Sequence, residues 1–457
     1  GVTLTIEAGV TVKFDSGTYI KVEGDLVADG TSSDGIVFTS SSGSPAAGDW
    51  SGIRIRPTSG TTFDGSYNYV SGTIFDYVTV KYASTGLYVY DTGLLVTNSS
   101  FQSNSNAMEI RGTENVILTS NTFDNNSQGI YSVYSDHYGD SVSKIENTQI
   151  NNNVFSNNGT AVALNMNQRI FETLDVVNNE FSSNSTAISI GGGGYGPKAH
   201  SISVTDNWIH DNGIGISFPQ FYSQGSVDSN VPEYQVIVRN NKVVDNTSSP
   251  LSIGRDGGVK FLIEDNVLAN NAGGIPLNGS QSASSIFRRN SVENNTYGVS
   301  VGGSSSYHPN NWIFYENVFS GIAGTIFDIG YGGGFQIYSN NFLGNSGFII
   351  VNNTSNSVHA EDNFWDTTDS SIVAALIYDY YDDFELGIVD SDPFLLSASS
   401  TPPVSSPTNL AAQTGPTTIS LSWDANPESD IAGYKVHYDT DAAGYPYANS
   451  TDVGNVT

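Results

Sequence analysis

The sequence predicts an all-β solenoid, and three observations carry that prediction: a recurring asparagine unit, a composition of short β-prone segments punctuated by small polar residues, and no run with helical periodicity. The unit is plain in NTFDNNSQGIYS at residues 121–132 and returns as NVFSNNGTAVAL at 153–164. An asparagine, a large apolar residue two positions on, a polar turn and a short β-prone run recur from Asn121, Asn153, Asn179, Asn207 and Asn241 through Asn266, Asn290, Asn317, Asn341 and Asn363, in steps of 22 to 34 residues. Short strands at such a period mean stacked coils. The 48 glycines, 25 tyrosines and 22 phenylalanines among 457 residues fit the same class.

The first hundred residues follow the scheme with fewer asparagines: LTIEAGVTVKF, YIKVEGDLVADG, GIVFTS, WSGIRI and FDYVTVKYA are alternating strands broken by Gly, Asp and Ser. Together with the later units they give about 15 coils, which at roughly 4.8 Å per coil make a rod near 70 Å long. Equivalent side chains then lie above one another. An asparagine can pair with its copy on either side because its side chain carries both donor and acceptor, and it tolerates a left-handed turn. The recurrence is therefore structural, and Phe123, Phe155, Phe181, Ile209, Val243, Leu268, Val292, Phe319, Leu343 and Trp365 fill the interior by the same stacking.

The runs LTIEAGVTVKF and IVFTSSSGSPAAGDWSGIRI, followed by N-x-F…N-x-x-GI coils, resemble the right-handed parallel β-helix proteins of the pectin-lyase-like superfamily, in particular Asn-rich bacterial and archaeal surface proteins. DNFWDTTDSSIVAALIYDYYDDFELGIVDSDPFL, residues 362–395, is similar to their closing segment, with Asp366 where the family often has Gly. The resemblance covers residues 1–395 and implies a β-helix with a C-terminal cap. It implies no single activity, since the fold hosts lyases, hydrolases, epimerases and adhesins.

Residues 396–408, LSASSTPPVSSPT, read as a Pro/Ser linker. Residues 409–457 resemble the first half of a fibronectin type III domain, a partial β-sandwich with Trp423 as core aromatic and Tyr434 on the next strand. The chain opens at Gly1 inside a strand pattern, as expected of a processed product or a piece of something larger.

With 46 acidic and 16 basic residues the formal charge is −30, which repels nucleic acid and anionic lipid. No stretch approaches the roughly 20 apolar residues of a membrane span. The absence of cysteine excludes disulfides and thiol chemistry. Sequons such as Asn98-Ser-Ser, Asn158-Gly-Thr, Asn184-Ser-Thr, Asn246-Thr-Ser, Asn278-Gly-Ser and Asn352-Asn-Thr could carry glycans on an exterior protein.

Extra residues enter several coils at one place, after the Gly-Ile-x-Ile-like strand: 131–144, 165–174, 191–201, 219–234, 254–260 and 302–311. Stacking should align these loops as a ridge or cleft along the rod. Tyr134, Asp136, His137 and Tyr138 form the candidate catalytic cluster, loosely similar to the Tyr/Asp/His sets of alginate-processing β-helix enzymes. Tyr195, Lys198, His200, Tyr222, Arg255, Tyr307 and His308 are candidate glycan-binding residues, because aromatic faces stack on sugar rings and basic groups pair with uronate carboxylates. Asp206, Asp211, Glu264, Asp265, Glu361 and Asp362 flank the repeated asparagines and read as solvated turn residues. Asp379, Asp382 and Asp383 read first as a capping turn and second as oxygen ligands for Ca2+.

The expected function is a secreted or cell-surface structural or adhesive rod that binds polysaccharide, contacts neighbouring surface proteins or associates with itself, with no required cofactor. The alternative is a polysaccharide lyase, epimerase or hydrolase working in the loop-lined cleft, where a base removes the proton beside a carboxylate and a cation neutralises that carboxylate.

Overall fold

The computed structural model describes residues 2–56, 60–132, 145–167, 172–193, 200–221, 233–255, 259–278, 284–302, 311–407, 409–426, 428, 431–439 and 449–456. Each full coil contributes one short strand to each of three parallel sheets. Among the described residues, sheet A holds 15 strands from Thr3–Ile6 to Val389–Asp390. Sheet B holds 13, from Thr11–Phe14 to Asn341–Leu343, and sheet C holds 14, from Tyr19–Val22 to Ile377–Tyr378. A typical coil runs Val116–Thr119 in A, Thr122–Asp124 in B and Gln128–Tyr131 in C. Every strand of that coil pairs in parallel with its counterpart in the next. The result is a right-handed parallel β-helix.

Alternation along each strand sends one residue in and the next out. Phe101, Phe123, Phe155 and Phe181 stack inside as one column, with successive ring centroids 5.2, 4.7 and 4.7 Å apart. Full burial of each ring is worth about 1.5–3 kcal/mol, so the column is a principal source of coil-to-coil cohesion.

Two asparagine ladders bind the coils at their corners. The first runs through Asn121, Asn153, Asn179, Asn207, Asn241, Asn266, Asn290, Asn317, Asn340 and Asn363 between sheets A and B. Its ninth member is Asn340, where the repeat spacing had suggested Asn341. Phe342 then fills the interior against Phe319 in place of Leu343. The second ladder, between sheets B and C, runs from Asn104 through Asn126, Asn158, Asn184, Asn212, Asn246 and Asn271 to Asn295. The sequence signalled it by an asparagine five residues after the first.

The ladder residue is not itself the left-handed one, as had been expected. The residue before it takes that conformation, as at Asn152, Asn178, Asp206, Asp265, Arg289, Glu316 and Asp362. The corner thus divides its labour between a residue that turns the backbone and one that bonds across coils. Burial also removes Asn158, Asn184, Asn246 and Asn352 from the acceptor sequons, while Asn98 remains exposed.

At the C-terminal end Trp365 is buried on Phe342 at 5.3 Å. A six-residue helix, Ser370–Ala375, is capped by Asp369, whose Oδ1 accepts from the Ser371 N–H at 2.8 Å, and it buries Val373. Asp366 has φ +60°, the left-handed geometry that a glycine would also supply.

The Pro/Ser segment lies along the rod. Ser399 and the Asn341 side chain exchange two hydrogen bonds of 2.8 Å, and the Ser406 N–H reaches the buried carboxylate of Glu293 at 3.2 Å. Beyond it, Ala411–Thr414 pairs antiparallel with Ile419–Ser422, and Tyr434–Tyr438 pairs antiparallel with Asn449–Gly454. Trp423 meets Tyr434 edge-on at 5.2 Å.

Candidate functional site

The six insertions singled out above all follow sheet C strands; five lead straight into sheet A strands and the first into Ile145–Glu146, which pairs with Thr113–Glu114, so sheet C leads directly to these loops. Its inward residues are buried: Ile53 and Ile55, Leu87 and Val89, Met108 and Ile110. The residues between them face out. In register across successive coils, Lys21, Arg54, Tyr88, Glu109 and Tyr131 form one outward column. Two positions along, Tyr90 is in register with Arg111, and Arg56 follows the pair Ile55 and Val89.

Guanidinium groups interleave with phenol rings across these columns. Arg54 lies over Tyr19 at 4.1 Å and near the face of Tyr88 at 5.4 Å. Tyr90 is shared between Arg56 at 4.7 Å and Arg111 at 5.1 Å. Arg54, Arg56, Tyr88, Tyr90, Glu109 and Arg111 line one depression with Ile55. Among the described residues none of these three guanidiniums is paired with a carboxylate, and the Arg54 Nε–H makes no hydrogen bond. Each ring lowers the cost of holding a cation against the sheet, and the planar fork remains suited to an incoming carboxylate.

The chain shows what satisfied arginines look like on sheet A. Arg239, Arg288 and Arg289 converge on Glu264, which is 2% exposed, and Arg289 also grips Asp265 through Nε and Nη2 at 2.7 and 2.8 Å. Glu264 is thus a buried structural anion, where the flanking pattern had suggested a solvated turn residue. Burial pushes its carboxyl upward, but the hydrogen bonds and charges of Arg288 and Arg239 prevail and hold it below the ordinary glutamate value. Six of the eight arginines thus fall in two trios; the sheet A trio is ion-paired with carboxylates, whereas the sheet C trio makes no such pair among the described residues, although Glu109 lines the same depression and Arg56 acts on the Glu23 carboxylate.

At the loop end of the sheet C face the Tyr131 hydroxyl donates to Glu109, a largely buried carboxylate. Burial and this hydrogen bond raise the phenol well above its ordinary range, so it stays protonated. Farther along, the outward positions become small. Ala163, Asn165, Ser189, Gly191, Gly192 and Pro219 line a second depression at the roots of the loops, together with Leu164 and Gln220.

Of the residues singled out from sequence, Tyr134, Asp136, His137, Tyr138, Tyr195, Lys198, Tyr222, Tyr307 and His308 lie outside the described residues. The backbones of His200 and Arg255 are described, His200 in register with Glu172 and Arg255 with Gln220. Asp379 is 3% exposed; its oxygens accept the N–H groups of Tyr381 at 3.0 Å and Val389 at 2.7 Å. Asp382 accepts from the Asp379 N–H and Asp383 from Glu385. These three carboxylates therefore build the turn, and among the described residues no three acidic or histidine side chains come together as a metal site. Sequence reasoning missed Arg54, Arg56, Tyr88, Tyr90, Glu109, Arg111 and Tyr131. The available signal was the strand-length alternation of Arg and Tyr with apolar residues in GIRIR and LYVY.

Comparison with known proteins places the architecture. A model of the right-handed beta helix region matches residues 34–207, and one of a pectate-lyase-like beta helix domain matches residues 1–66. The catalytic domain of a GH87 alpha-1,3-glucanase, solved with tetrasaccharides, is similar at 11% identity and TM-score 0.45, over 88% of this chain and 64% of that one. A mannuronan C-5 epimerase A-module from Azotobacter vinelandii is similar at 14% identity and TM-score 0.37, over 74% and 86%. A PL6 family alginate lyase is similar at 12% identity and TM-score 0.39, over 93% and 52%. The chain spans less than two thirds of the glucanase domain and of the alginate lyase. No curated protein matches the sequence. The β-helical fold itself rests on the right-handed beta helix model and the three parallel sheets.

Proposed function

We propose that the protein is a secreted or cell-surface β-helical rod that holds an acidic polysaccharide along the outer face of sheet C. The observation that carries this reading is the set of three guanidiniums, Arg54, Arg56 and Arg111, braced on tyrosine rings and unpaired with carboxylates of the described residues. Arg54 and Arg56 fall inside the stretch that matches the pectate-lyase-like model. Because the ring faces are covered by the guanidiniums, these tyrosines act by positioning the forks, and the uronate carboxylate is the group recognised. The small residues beyond Tyr131 give a polymer room to continue toward the loops. No helix among the described residues is long and apolar enough to cross a membrane. This reading requires no cofactor.

A second reading, turnover of the bound polymer by elimination or epimerisation, is favoured by the Tyr131 hydroxyl and Glu109 carboxylate beside the arginines. The arginines would neutralise the uronate carboxylate, and Tyr134, Asp136, His137 and Tyr138, which begin three residues past Tyr131, would supply the base. The two C-terminal hairpins fit a fibronectin type III-like spacer, supported by the Trp423 and Tyr434 contact.

The test is retention of the full chain on immobilised alginate and polygalacturonate, with unsaturated-product absorbance read in parallel. Retention lost in Arg111→Ala supports the sheet C site. Absorbance lost in His137→Ala adds turnover, and equal retention of wild type and Arg111→Ala contradicts the proposal.

A further inference from the structure

Near the C-terminal coils, the outward face of sheet A presents a surface of different chemistry. Tyr315 and Tyr338 are register neighbours, and their rings stack 5.2 Å apart and 5° from parallel. The Tyr315 hydroxyl also accepts from Arg288 Nη1 at 2.7 Å, which anchors that ring to the Glu264 cluster. Tyr315 covers one face of Tyr338. Toward the last coils, where Glu361 of the next coil comes alongside Tyr338, a depression is lined by Gln336, Tyr338, His359, Glu361, Asp362 and Pro393. Gln336 is in register with His359, and His359 with Asp390. His359 Nδ1 lies 3.2 Å from the Glu361 carboxylate.

We propose that this depression binds a neutral sugar, with a pyranose of an uncharged glycan packed against the part of the Tyr338 ring that lines it. A pyranose offers one face of C–H groups to an aromatic ring and a rim of hydroxyls to polar neighbours. The Gln336 amide can donate and accept, and the Glu361 and Asp362 carboxylates accept from hydroxyls. Glu361, Asp362 and Asp390 together repel a uronate, so the site selects against the polymer proposed for sheet C. The Tyr315 and Tyr338 stack rests on continuous parallel strands, so the platform is preformed.

Affinity electrophoresis of the full chain through gels containing laminarin, mannan, xylan or dextran, with alginate run alongside, tests the site. At least one neutral polymer should retard the protein. Tyr338→Ala and Gln336→Ala should each weaken that binding about tenfold, while Tyr338→Phe keeps it. Arg111→Ala should leave it unchanged, which separates this site from the sheet C face. Gln336 is exposed, so Gln336→Ala carries the reading if Tyr338→Ala disturbs the fold. Retardation by none of the four neutral polymers, or retardation indifferent to both Tyr338→Ala and Gln336→Ala, would overturn the proposal.

Discussion

Asn207 gives both its backbone N–H and its side-chain Nδ2–H to the single Oδ1 of Asn241, at 3.1 and 2.9 Å, and its own Oδ1 receives the same two donors from Asn179. Nδ2 also reaches the Val176 carbonyl at 2.9 Å. Asn207→Ala therefore takes the acceptor from the Asn179 backbone N–H and Nδ2–H and a donor from the Val176 carbonyl, while Asn241 Oδ1 keeps the backbone N–H of residue 207. At about 1–3 kcal/mol per unsatisfied buried group, the variant should lose at least about 3 kcal/mol in urea unfolding. A loss below about 1 kcal/mol would mean that water replaces the ladder.

Glu316 holds φ +55° at the corner before Asn317, a conformation that asparagine tolerates and glutamate does not favour. Glu316→Asn should raise stability by roughly 0.5–1 kcal/mol in the same assay. Its neighbour in the adjacent coil, Arg289 at φ +49°, should not gain from the same change, because its side chain grips Asp265 and Glu264.

Acid should undo the sheet A cluster. The folded Glu264 carboxyl is held below its ordinary value, so its contribution is present above the unfolded glutamate value of about 4.3 and is lost as pH falls through the lower folded value. Unfolding free energy measured from pH 7 to pH 3 should fall, and Glu264→Gln should flatten that fall while lowering stability at pH 7. An unchanged slope in Glu264→Gln would assign acid sensitivity elsewhere.

The Ser399 and Asn341 pair fixes the Pro/Ser segment to sheet B. Asn341→Ala should speed limited proteolysis within residues 396–408 several-fold and leave the rod's unfolding midpoint nearly unchanged. Equal cleavage rates would show that Glu293 and Ser406 suffice to hold the segment.

The solenoid was legible because stacking copies one chemical solution into every coil, so a ladder asparagine and its interior phenylalanine recur in the sequence. Local ambiguity remained where the pattern fitted twice: Asn340 and Asn341 each precede a large apolar residue by two, and only the paired coils choose Asn340. The second ladder was equally periodic but sat inside the turn of the first. The arginine and tyrosine face was hidden for a different reason. Arg54, Tyr88, Glu109 and Tyr131 are side by side in space, yet they are 34, 21 and 22 residues apart because each coil carries a different loop. The loops drew attention to their own residues, while the contacts that brace the arginines lie on the strands beneath.

The sheet C arginines, proposed as a polyuronate site, sit on a chain whose formal charge is −30. The Debye length is about 8 Å at 0.15 M ionic strength and about 30 Å at 0.01 M, so whole-molecule repulsion should mask the site at low salt and be screened near physiological salt. The most direct measurement is the affinity of wild type and an Arg56→Ala/Arg111→Ala variant for polygalacturonate and a neutral polymer of similar length at several ionic strengths. Wild-type binding to the polyuronate should be strongest at intermediate salt and should fall at least about tenfold in the variant. Wild-type binding that is absent at every ionic strength, or identical in the variant, would contradict the proposal.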